Sequence, residues 1–143
     1  MFPDRRRPAL RGVVVFAVAI LIPVAGASAV ARQSASVPAQ LVGKWTRTPT
    51  AADVNRAGAK GVAAGTVYVF IVKKSGAAVI GSTYGGFAGK VVPAGTNRIH
   101  INVGTPVQNL YVWHASGSQL TLKKVKDSEP DRVAVMVGVW KRS

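Results

Sequence analysis

From Leu41 to Arg142 the chain is broken into short runs rich in β-branched and aromatic residues: Leu41–Thr48, Thr66–Lys73, Ala77–Tyr84, Phe87–Val92, Arg98–Val103, Val107–Ala115, Gln119–Lys126 and Arg132–Arg142. Turn signals separate them, among them Lys74-Ser75-Gly76, Tyr84-Gly85-Gly86, Pro93-Ala94-Gly95 and Ser116-Gly117-Ser118. Eight strands at near-regular spacing predict an all-β meander closing into an eight-stranded antiparallel up-and-down barrel. The fifth run shows the alternation of a half-buried strand, with Ile99, Ile101 and Val103 on one face and Arg98, His100 and Asn102 on the other. The second and last runs are apolar on both faces, so one face of each lines the interior and the other is covered or left as an exposed patch. Thr50 to Lys60 departs from the pattern. Thr50 followed by Asp53 is a capping-box spacing, and Ala51, Ala52, Arg56, Ala57 and Ala59 suit a helix, so a short helix is expected between the first two strands.

A pentapeptide recurs at the two ends of this series. Gly43-Lys44-Trp45-Thr46-Arg47 and Gly138-Val139-Trp140-Lys141-Arg142 both read G-x-W-x-R, one in the first run and one in the last. Residues i, i+2 and i+4 of a strand share a face, so each copy aligns a glycine, an indole and a guanidinium. Glycine admits a close neighbour, tryptophan supplies a large apolar plug, and arginine can stack on an indole face for about 0.5 to 2 kcal/mol. With an even number of antiparallel strands, the first and last become neighbours on closure. Gly43, Trp45, Arg47, Gly138, Trp140 and Arg142 are therefore expected to form a structural seam.

On these residues the chain resembles the calycin superfamily of lipocalins and fatty-acid-binding proteins. Those barrels carry a Gly-x-Trp on the first strand beneath a basic residue from the last; Gly43 and Trp45 match the first element, and Arg142 or Arg132 could supply the second. The early helix is more like the fatty-acid-binding branch and the strand number more like the lipocalins. More specifically, the chain is similar to small exported lipocalin-like domains of bacteria. It lacks a second lipocalin motif and the terminal Arg-x-Tyr that holds a carboxylate. The resemblance implies a binding module for a small apolar or amphipathic ligand. Tyr68, Phe70, Tyr111 and Trp113 are candidate ligand-binding residues, with Trp45 and Trp140 lining or plugging the interior. Core filler with a structural arginine is the alternative for both seam tryptophans.

Residues 1–29 read as an export address. Arg5, Arg6, Arg7 and Arg11 precede an uncharged run from Gly12 to Ile22, and Ala27-Ser28-Ala29 supplies an A-x-A site. A cleavable signal peptide is expected, in preference to a retained anchor, leaving residues 30–40 as a flexible lead-in and 41–143 as the barrel domain. Arg6-Arg7 also suggests a twin-arginine route, without deciding between it and general export. The expected location is secreted or cell-envelope. The chain has no cysteine, so no disulfide partner exists and packing alone must hold the fold.

Of the formal net charge of +14, the address carries +3, and 15 basic against 4 acidic residues remain after it, a net +11. No nucleic-acid recognition motif accompanies that charge, so no specific nucleic-acid partner is expected. Anionic envelope surfaces are the expected attraction, and association with them through a filled barrel is the alternative function.

Chemistry is sparse. Asp127-Ser128-Glu129-Pro130-Asp131 reads as a solvated acidic turn pairing loosely with Lys123, Lys124, Lys126 and Arg132. His100 and His114 make a weak metal set, no nucleophile elbow is present, and Gly85-Gly86-Phe87-Ala88-Gly89-Lys90 has the wrong spacing for a phosphate loop and reads as a glycine-rich turn. No catalytic residue, metal site or cofactor is assigned, and the balance leans away from an enzyme.

Overall fold

The structure, a computed structural model, describes residues 35–104 and 107–143. The expected signal peptide and the first part of the lead-in lie outside the described residues. Eight strands follow in chain order: β1 Gly43–Arg47, β2 Tyr68–Val72, β3 Ala77–Ser82, β4 Gly85–Pro93, β5 Arg98–Val103, β6 Asn109–Ser116, β7 Gln119–Asp127 and β8 Gly138–Arg142. Each pairs antiparallel with the next, and β8 pairs with β1, so the sheet is a closed up-and-down barrel, as the strand pattern predicts.

Two short helices interrupt the meander, α1 (Ala51–Ala57) after β1 and α2 (Pro130–Met136) before β8. The capping box forms: the Thr50 hydroxyl accepts the Asp53 amide, and the Asp53 carboxylate accepts the Thr50 amide. The second helix is a correction, because Arg132–Arg142 reads in sequence as one strand. Pro130 occupies the first helical turn with Asp131 beside it, and a proline there loses no intrahelical bond. The alternating valines that suggested a strand are divided between the two elements. Arg132, Ala134, Val135 and Met136 are the buried residues of the helix, and only Gly138–Arg142 enters the sheet.

An eight-stranded barrel has an interior that side chains can fill. At the end where β1 begins and β8 finishes, it is filled. Leu41, Trp45, Phe70, Trp140, Leu120 and Val72 are essentially inaccessible, and the Phe70 and Trp140 rings lie 5.7 Å apart, tilted by 53°. The lead-in is partly built into this plug: Val37 is buried with Leu41, and the Leu41 amide bonds the Pro38 carbonyl at 2.9 Å.

The seam brings the two pentapeptides together in reciprocal fashion. Only two register pairs join β1 to β8, Trp45 with Arg142 and Thr46 with Lys141. The Ser143 amide adds a backbone bond to the Lys44 carbonyl at 3.1 Å, and side chains reinforce the seam. The Trp45 indole N–H donates to the Leu41 carbonyl and that of Trp140 to the Met136 carbonyl, both at 3.0 Å and four residues upstream. The Arg142 guanidinium lies 4.3 Å from the Trp45 ring centroid and donates to the Val42 and Gln40 carbonyls. Arg47 donates at 2.8 Å to the Ala134 and Val135 carbonyls, which α2 leaves unpaired at its C-terminus. Each arginine also lies over the glycine of the opposite copy. A Cβ on Gly43 would stand 2.7 Å from Arg142 Nη1, and one on Gly138 would stand 2.6 Å from Arg47 Nε. Both glycines have positive φ, +147° and +134°.

The two glycines should differ in their tolerance of a methyl group. Both alanine variants incur the backbone strain of positive φ, about 1 kcal/mol. The exposed Arg142 can swing aside, whereas the buried Arg47 is held by Asp53 and two carbonyls. Urea denaturation should therefore show Gly138→Ala losing about 2 to 4 kcal/mol and Gly43→Ala about 1 to 2 kcal/mol. Equal losses would refute the assignment of the buried arginine as the rigid partner.

Candidate functional site

The opposite end of the barrel is not filled. Between the β3–β4 hairpin, the segment Gly61–Ala63 and α2 lies a cleft of about 850 Å³. Its apolar surface comes from Tyr68, Ile80, Phe87, Val103, Val135 and Met136, with Tyr84 at the rim. Strand register explains its openness. Phe87 pairs with Ile80, whose side chain is in the core, so Phe87 belongs to the inward face of β4; yet it is 65% exposed. Its neighbours Gly85, Gly86, Ala88 and Gly89 have no side chains large enough to cover it. Tyr84, on the hairpin tip, is 85% exposed.

A buried polar network braces this end. The Asp127 carboxylate receives Arg132 Nε at 2.6 Å and Nη2 at 2.9 Å, the Tyr111 hydroxyl, and the Glu129 amide at 2.9 Å. Its side chain is inaccessible and that of Arg132 nearly so. Arg132 also donates to the carbonyls of Val103 and Val107, across the place where β5 and β6 separate. The Asn109 side chain continues the repair. Its Oδ1 accepts the Ile101 amide at 2.6 Å and its Nδ2 donates to the Ile101 carbonyl at 3.0 Å, as a peptide group on a paired strand would. His100 Nδ1 meets the Asn109 carbonyl on the outer side.

The acidic turn is thus corrected. Asp127 is a buried anion rather than a solvated one, because a side chain one helical turn onward returns to it. Asp131 accepts the Lys60 and Gly61 amides at 3.0 and 3.1 Å, tying the segment after α1 to α2. The nearby lysines do not pair with this cluster; Lys126 donates to Gln108 instead.

Of the four residues expected to contact a ligand, Tyr68 alone lines the cleft. Phe70 and Tyr111 are fully enclosed in the packed interior, and Trp113 is half-buried against it, its indole N–H without a hydrogen-bond partner. Phe87 and Tyr84 escaped sequence reasoning because their run reads as a glycine-rich turn. The signal available was a lone large ring among glycines that cannot shield it. Among the described residues no group of three or more metal-ligating side chains converges.

Acidic side chains are confined to one end of the barrel, whereas basic ones occur at both. The four carboxylates of the described residues, Asp53, Asp127, Glu129 and Asp131, are all at the helix-bearing end. Hydrogen bonds from Thr50, aided by Arg47 and Arg56, hold the Asp53 carboxyl below the usual carboxylate range against a modest burial cost. Lys44, Lys73, Lys74, Arg98, Lys141 and Arg142 cluster toward the filled end, without a carboxylate among them. No protein-family model, curated protein or solved structure matches this chain.

Burial alone would push the Asp127 carboxyl up, but the hydrogen bonds from Arg132, Tyr111 and the Glu129 amide outweigh it and hold it below the ordinary range. Its folded value is thus below its unfolded one, so its contribution is complete above the unfolded pKa of about 3.9 and is lost as pH falls through the folded value. Asp127→Asn leaves the Arg132 guanidinium buried without its counter-ion and should cost about 3 to 5 kcal/mol at neutral pH. Urea titrations at a series of pH values should show the gap between variant and wild type narrowing below about pH 4. A gap constant down to pH 2 would mean that the pair is not what the substitution removes.

Proposed function

We propose that this protein is an exported calycin-type barrel that binds a small apolar or amphipathic ligand at its helix-flanked mouth. The observation that carries this reading is Phe87, an inward-facing ring left 65% exposed above a cleft of about 850 Å³. Water-exposed apolar surface on the concave side of a barrel is what a ligand of that polarity would cover. The internal ion pair braces the α2 side of the cleft, which lowers the ordering that binding must accomplish there. The calycin assignment draws its support from Gly43 and Trp45 beneath Arg142, and export from the basic, apolar and A-x-A segments of residues 1–29.

A second reading is favoured by the confinement of acidic side chains to the helix-bearing end. The cationic filled end suits attraction to an anionic envelope surface, and it lies at the opposite end from the mouth, so the two roles are compatible.

Nile red, a neutral apolar dye, should bind the purified protein with a blue-shifted rise in fluorescence. Phe87→Ser removes a ring worth about 1.5 to 3 kcal/mol of transfer and should weaken dye binding about tenfold or more. Because that ring is mostly exposed, the urea midpoint should move little. Unchanged dye affinity in a folded Phe87→Ser protein would place binding elsewhere and defeat the reading.

A further inference from the structure

The mouth of this strongly basic protein contains no lysine. Among the residues lining the cleft the charged groups are Glu129, Asp131 and Arg132. The arginine is already committed to Asp127, as bidentate hydrogen bonds show. The ion pairs among the described residues are Arg47–Asp53, Arg56–Asp53 and Arg132–Asp127, so neither Glu129 nor Asp131 has a cationic partner. Two carboxylates therefore face a cleft whose remaining lining, apart from Arg132 and Ser82, is glycine, apolar or aromatic. Only one of them has an evident structural duty. Asp131 holds the amides of Lys60 and Gly61. Glu129 stands at the N-cap of α2 but makes no side-chain capping bond there.

The cleft itself is established by its volume and its exposed rings, independently of these acids. What the acids decide is the polarity of its occupant. We propose that the ligand is a cationic amphiphile, an amine or quaternary ammonium on an apolar tail, with the tail against Phe87, Ile80 and Met136 and the head beside Glu129 and Asp131. This rests on the mouth being the ligand site, as proposed above. Tyr68 and Tyr84 reinforce the preference, because the face of a phenol ring attracts an ammonium group. An anionic head would meet two carboxylates and no free cation of the lining. The net charge of the whole chain, which would favour anions at a distance, is carried by residues outside the cleft and is screened beyond about 8 Å at physiological salt.

The test uses three ligands with one ten-carbon tail, decyltrimethylammonium, decanol and decanoate, each below its micellar concentration. They are titrated calorimetrically into the purified protein at 0.15 M salt, with Phe87→Ser as the control for binding outside the mouth. The expected result is that the cation binds at least tenfold more tightly than decanoate, with decanol between them. Glu129→Gln should reduce the preference for the cation by about threefold without changing decanol affinity. Equal binding of all three at the mouth, or a preference for decanoate that Phe87→Ser abolishes, overturns the charge assignment and leaves the apolar cleft standing. Failure of all three to bind overturns the cleft reading itself.

Discussion

Everything in this barrel depends on how the first and last strands close it. Two register pairs between β1 and β8 are too few to make a robust ladder, and the chain has no disulfide to assist. The short ladder is reinforced by side chains arranged with local two-fold character. The arginine of each pentapeptide crosses to the glycine of the other, and each indole returns to a carbonyl four residues upstream. The two arginines end in different surroundings, Arg142 at the surface over Trp45 and Arg47 in the interior beneath α2. Burial pulls the Arg47 guanidinium down from its ordinary value, and the nearby Asp53 counters that pull. The helix that would otherwise end on unpaired carbonyls is thereby joined to the seam.

This arrangement explains why α2 sits where it does. Its C-terminal carbonyls receive Arg47, Met136 receives the Trp140 indole, and its first turn supplies the Arg132 that fills the gap between β5 and β6. A helix pinned at both ends across one side of a barrel leaves the other side open. The β3–β4 hairpin wall, thinned by glycine, faces that opening.

Much of this was legible in the order of residues. Strand periodicity, the Thr50/Asp53 box and the repeated G-x-W-x-R each reflect local or nearest-strand physics, and the barrel and its seam follow from them. The helix before β8 was masked because Val133, Val135, Val137 and Val139 alternate as a strand would, and that pattern outweighed the helix-start signal of Pro130 and Asp131. The Asp127–Arg132 pair reads in sequence as solvent chemistry because burial of both partners depends on where β5 and β6 part, which no local pattern encodes. Sequence reasoning expects a ligand among the largest aromatic residues. Phe70 and Tyr111 are instead what such residues most often are, the packed interior, whereas the exposed ring was the one whose neighbours are too small to enclose it.

The distribution of charge follows from the same construction. Two arginines, Arg47 and Arg132, bring their charges inside at the helix-bearing end, and a buried guanidinium needs a carboxylate within reach. Asp53 and Asp127 meet that need and so explain half of the acids at this end. Asp131 is accounted for by the loop it holds, which leaves Glu129 as the one carboxylate there with no evident structural duty. At the filled end no arginine is buried, so no carboxylate is required and the lysines stand uncompensated. Attraction to an anionic surface would orient the molecule filled end first. The mouth would then point away from that surface, with its carboxylates and exposed rings turned toward whatever is dissolved around it.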